Sequence, residues 1–111
     1  MSLYQTIIGI VNNVDANLED RAKVWAQGKS RWDITMILSE ESKRARKLLS
    51  EIWVQGGLSV KEYGDLDNQL YDAEYMLRRN KATRNHLAVL TIALFARPMV
   101  EWQAQKAGYV K

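Results

Sequence analysis

Leu58-Ser59-Val60-Lys61-Glu62-Tyr63-Gly64-Asp65-Leu66-Asp67-Asn68-Gln69-Leu70-Tyr71-Asp72-Ala73-Glu74-Tyr75-Met76-Leu77 is the stretch that decides the fold of this 111-residue chain. Ser59 and Glu62 have the spacing of a capping box, in which the hydroxyl accepts from one free amide and the carboxylate from another. Leu58 and Tyr63 stand where a hydrophobic staple would hold the entering chain. Behind that start, Tyr63, Leu66, Leu70, Ala73 and Leu77 recur at spacings of three and four, the stripe of a helix with one buried face. The pattern fades at Asn80, so this segment reads as a helix ending there.

The segment before it closes on Gly56-Gly57 and carries Ile34, Leu38, Ala45, Leu48 or Leu49, and Ile52 at helical spacing. Ser30 with Asp33 starts it as a second capping box, with Ser39 a rival start that would detach residues 31–38 as a short turn. Further back, Tyr4, Ile7, Val11, Val14, Leu18 and Trp25 form another stripe, ended by Gly28. Asn12, Asn13, Asp15 and Asn17 interrupt its middle. With Glu19 and Asp20 following, Asn17 can cap a new helix, so the segment reads either as one continuous helix or as two divided near 15–17.

After Asn80, Thr83 caps a helix whose apolar residues from Leu87 to Ala96 cover nearly its whole circumference, which marks it as the central element. Pro98 forbids a backbone bond and restricts Arg97, so a kink or a restart is expected there. Gly108 ends the last turn. No stretch alternates with period two, and the expectation is an all-α compact bundle of four to five helices around a central apolar helix near 84–97, with residues 1–111 as one domain.

Composition narrows the function classes. The chain is 47% hydrophobic and 26% charged, with one Pro and no Cys, which excludes a disulfide framework, a thiolate nucleophile and a Cys-type zinc site. Its longest run of low polarity, Leu87–Ala96, is half of what a membrane-crossing helix needs, and Met1–Thr6 lacks the basic start of a secretory signal. A cytoplasmic location is therefore the expectation. The net charge of +3 falls short of a strongly basic nucleic-acid protein.

Half of the sixteen Lys and Arg fall in two windows, Lys43, Arg44, Arg46 and Lys47, and Arg78, Arg79, Lys81 and Arg84. Long cations so grouped can neutralise phosphates. Against that stand Glu40 with Arg44, Lys47 with Glu51 and Glu74 with Arg78, the i,i+4 pairs of an ordinary solvated face. A helix-turn-helix across Gly56-Gly57 fits poorly, because Glu62, Asp65 and Asp67 would push carboxylates toward phosphates.

Glu62, Asp65, Asp67, Asp72 and Glu74 crowd one helix, yet a calcium loop starting at Asp65 lacks its Gly, which is Leu70, and its bidentate Glu, which is Met76. The better reading is a solvated acidic face, with the basic face of the preceding helix as one neighbour it could meet. A magnesium-dependent hydrolase built on Glu62, Asp65 and Asp72 has no complementary set of ligands, and His86 is a lone histidine without a triad partner. No cofactor motif or small-molecule substrate site is indicated, and an enzyme is not expected.

Four Trp and five Tyr against one Phe favour an interface composition, since both side chains join a broad apolar face to a polar tip. Trp53 lies beside its helix stripe, and Tyr71 and Tyr75 flank theirs. The sequence reading is a small protein-interaction or adaptor module without catalysis, able to form a homodimer. Its partner-binding residues are Trp53, Tyr71, Tyr75, Arg78, Arg79, Lys81 and Arg84. The alternative is a nucleic-acid-binding or regulatory protein using Lys43, Arg44, Arg46 and Lys47 with the 78–84 cluster.

Overall fold

Serine, threonine and glycine set the element boundaries in the structure, a computed structural model that describes residues 2–111. Five helices follow one another: α1 (Leu3–Ala16), α2 (Leu18–Ala26), α3 (Arg31–Val54), α4 (Val60–Arg78) and α5 (Arg84–Lys106). Among the described residues no strand occurs. Ser2, Ser30, Ser59 and Thr83 each cap a helix through a reciprocal box with the residue three positions on. The Ser59 box has the tightest bond of the set, 2.8 Å from the Ser59 amide to Glu62 Oε1.

The break between α1 and α2 falls at Asn17, as the polar run suggested. Its side chain does not cap α2, however, but donates back to the carbonyl of Asn13 at 3.1 Å. Two other expectations are corrected. Ser39 starts nothing, because α3 runs unbroken from Arg31 to Val54. Pro98 does not restart the last helix, which continues through it to Lys106. The Pro98 ring is exposed, so the one lost backbone bond is outweighed by burial of Ala96 and Val100 on either side.

α3 and α5 run in the same direction, with α4 packed antiparallel against both. The pairing is fixed by Leu38 with Leu90 near one end and Ile52 with Ala104 near the other. α1 lies chiefly on α5. Ser42 and Ala73 are fully buried small residues that let α3 and α4 approach, and the Ser42 hydroxyl is satisfied by the Leu70 carbonyl at 3.4 Å. α5 packs against every other helix, in keeping with its apolar circumference, although Leu87 and Met99 remain exposed.

The core divides into two clusters. One gathers Ile7, Leu48, Leu49, Ile52, Leu58, Leu70, Val100 and Ala104, and the other Leu38, Ala73, Leu77 and Leu90 with Trp25 against them. Beside the first lies a half-open apolar pocket of about 120 Å³ lined by residues of α1, α3, α4 and α5, among them Ile7, Leu49, Leu66, Ala93 and Val100. No helix of the described residues is long and apolar enough to cross a membrane.

Candidate interaction surface on α3 and α4

The helical period puts Arg46 and Trp53 of α3 along the outer seam with α4, where Tyr63, Asp67, Tyr71 and Glu74 meet them. Trp53 stacks on Tyr63 with ring centroids 4.8 Å apart and planes only 3° off parallel. Further along, the Arg46 guanidinium lies 4.9 Å from the centre of the Tyr71 ring, Tyr71 faces Tyr75 at 6.3 Å, and Arg79 sits 5.3 Å over Tyr75. Four groups thus alternate cation, ring, ring, cation. Tyr71 and Tyr75 remain 50% and 46% exposed, so the column is open to a partner.

Salt bridges hold this column in place. Arg46 donates from Nε to Asp67 Oδ1 at 2.9 Å and lies 3.6 Å from Glu74 Oε2. Glu74, only 4% exposed, also receives Arg78 at 3.1 Å. The hydrogen bond to Asp67 is the largest influence on the Arg46 guanidinium and raises its pKa above the ordinary value. Partial burial works in the other direction, and the charges of Asp67 and Glu74 add to the rise. Arg46 is therefore a fixed cation. Acidic α4 meets basic α3 through this one arginine.

Sequence grouping and spatial grouping differ for the basic windows. Arg44 turns the other way round α3, to Glu41 at 3.4 Å, and not to Glu40 as the i,i+4 spacing suggested. Among the described residues Lys47 makes no ion pair with Glu51. The window of Lys43, Arg44, Arg46 and Lys47 therefore splits, its two arginines held by carboxylates on opposite sides of α3 and its two lysines exposed. It does not form one basic face. Arg78 and Arg79 end α4, Lys81 lies in the connection, and Arg84 opens α5, all exposed. Of the seven residues read as partner-binding, Trp53, Tyr71, Tyr75, Arg78 and Arg79 come together on the seam, and Lys81 and Arg84 sit past its basic end.

The acidic candidates are dispersed. Glu62 is consumed by its cap, and Asp72 accepts from His86 Nε2 at 3.1 Å. Among the described residues no three His, Asp or Glu side chains converge as metal ligands. His86 has a role that its isolation in the sequence concealed: Nδ1 accepts from the Thr83 amide at 3.0 Å, completing the α5 box from a side chain outside the usual Glu or Gln. With Nδ1 accepting, the proton lies on Nε2, which donates to Asp72 and ties α5 to α4.

Sequence reasoning also missed Arg97, whose Nε donates to Glu41 at 2.6 Å and whose Nη1 donates to Glu101 at 2.9 Å. Only the Arg97–Glu101 spacing of four residues was visible beforehand. No known family model matches the chain, and neither a curated protein nor a solved structure gives a match.

Proposed function

We propose that the protein is a small interaction module that binds another protein along the outer seam of α3 and α4 and performs no catalysis. The observation that carries this reading is the ordered column of Arg46, Tyr71, Tyr75 and Arg79, continued by the Trp53–Tyr63 stack. Exposed rings that are already stacked and buttressed lose little rotamer freedom on binding, which is how aromatic and arginine anchors come to dominate interface energy.

A nucleic-acid role has less support, because two of the four cations of the 43–47 window are committed to carboxylates within the chain. The catalytic alternative is weaker again, since Glu62 and Asp72 are engaged by a cap and by His86. A cytoplasmic setting belongs to the same proposal, and a chain without cysteine is compatible with a reducing compartment.

The test is a photo-reactive benzoylphenylalanine placed at Tyr75 and, as control, at the exposed Lys23 of α2, with irradiation in the producing cell. Protein adducts at position 75 and none at 23 are expected. Equal labelling at both positions, absence of protein adducts, or nuclease-sensitive adducts at 75 would each overturn the reading.

A further inference from the structure

We propose that the half-open pocket bordered by α1, α3, α4 and α5 is a binding site for a small uncharged molecule with a compact hydrocarbon body and one polar end, of the size of phenol. The site is independent of the α3–α4 seam. Gln69, which borders the pocket, and Tyr71 of the seam point about 200° apart around α4.

The pocket has a closed end and an open one. Leu49, Leu70 and Val100 are buried at its base, whereas Val11 of α1 and Ile92 of α5 are half-buried and Gln69 of α4 is exposed, marking its mouth. α1 and α4 both rest on α5 and scarcely meet each other, so no helix closes that side. A ligand can therefore enter without displacing an element. The volume of about 120 Å³ approaches that of an apolar core cavity that takes up benzene, roughly 150 Å³. A six-carbon body fits with its edge at the mouth, and a nucleotide or a long acyl chain does not.

The lining sets the chemistry. Every lining side chain is aliphatic except Gln69 and Arg97. Arg97 offers no free charge: it is held by Glu41 at 2.6 Å and Glu101 at 2.9 Å, and Arg44 on Glu41 makes the network of two cations and two carboxylates neutral. A carboxylate or an ammonium entering the pocket would lose water without meeting a counter-charge. An uncharged hydrocarbon body has no such penalty and covers apolar walls now open to water. Gln69 is the remaining polar group, and among the described residues its amide makes no hydrogen bond within the chain. A primary amide both donates and accepts, which suits a single hydroxyl at the mouth and fixes the ligand end for end.

Isothermal titration calorimetry of the purified chain with phenol, benzene and benzoate tests this. Phenol is expected to bind one to one with a Kd of about 1 mM or below, within what seven heavy atoms can supply. Benzoate is expected to bind at least about tenfold more weakly, because its charge finds no partner. Gln69→Leu should weaken phenol by about threefold and leave benzene unchanged, the size of one solvent-facing hydrogen bond. Ala93→Leu, which puts a larger side chain into the pocket, should abolish binding of both. Phenol should also show nuclear Overhauser contacts to the methyl groups of Leu49 and Val100 in the wild type, a readout that needs no variant to fold. Lack of saturable phenol binding, benzoate binding as tightly as phenol, a phenol affinity indifferent to Gln69→Leu, binding that survives Ala93→Leu, or contacts to other methyl groups only would each overturn the inference.

Discussion

Arg97 of α5 donates from Nε to Oε2 of Glu41 on α3 at 2.6 Å, joining two helices whose sequence positions are 56 residues apart. Both side chains are mostly shielded from water, with Arg44 and Glu101 completing the network at the rim.

Removing one member of such a pair strands the other. Arg97→Ala is expected to destabilise the fold by about 3 kcal/mol, the lower end of the range for a broken buried pair because Arg44 still reaches Glu41. The double variant Arg97→Met with Glu41→Leu should recover most of that loss, as no unpaired charge remains. Urea denaturation of the three proteins checks it, and a double variant no better than the single would contradict the account.

Gly57 is pressed from two sides. A Cβ there would lie 2.7 Å from Cγ2 of Ile52 and 3.0 Å from the Tyr109 ring, and Ile52 is fully buried. Gly57→Ala should therefore cost about 1–3 kcal/mol by overpacking. Gly56 differs, having open space but a φ of 84°. Asn tolerates that left-handed backbone, so Gly56→Asn should be mild while Gly57→Asn is severe. Thermal melts of the two Asn variants separate packing from backbone strain.

Ala93 borders the half-open apolar pocket. Ala93→Leu is expected to stabilise by about 0.5–1 kcal/mol, from partial burial of the added apolar surface. A fall in denaturation midpoint would mean that the cavity walls cannot accept the added volume.

Lys43 and Lys47 provide the counter-test to the seam. Replacing both by Glu should change partner capture at the seam by less than about threefold, because exposed charges away from a contact matter little. Tyr71→Ala with Tyr75→Ala should weaken it by at least about tenfold, as expected for central aromatic anchors. Cross-linking yield from benzoylphenylalanine placed at Arg79 in the producing cell measures both, and the reverse ranking would move the contact to the basic window.

The capping boxes of Ser30 and Ser59 were legible in the sequence because donor and acceptor lie within four residues, where helix geometry alone fixes the distance. The stripes of α3 and α4 were legible for the same reason. Arg46 was read as part of a basic window because its partners Asp67 and Glu74 come from another helix, and only the packing register brings them near. Trp53 shows the same limit: its place beside the stripe was visible, its stacking on Tyr63 was not. At Pro98 the local rule was overridden by burial on both flanks, and at Thr83 the box was hidden because histidine supplies the acceptor.

Pro98 interrupts the central helix inside one packing neighbourhood. Its missing amide leaves the Leu94 carbonyl without its usual partner. Ala93 before it and Val100 and Ala104 after it all pack with Ile7 and Ile52, while Leu90 and Leu94, on a neighbouring face of the same helix, meet Leu38 and Leu77. The two clusters are thus divided by the faces of the rod and not by its weakest rung. Amide exchange along α5 should accordingly run as one cooperative block across the proline.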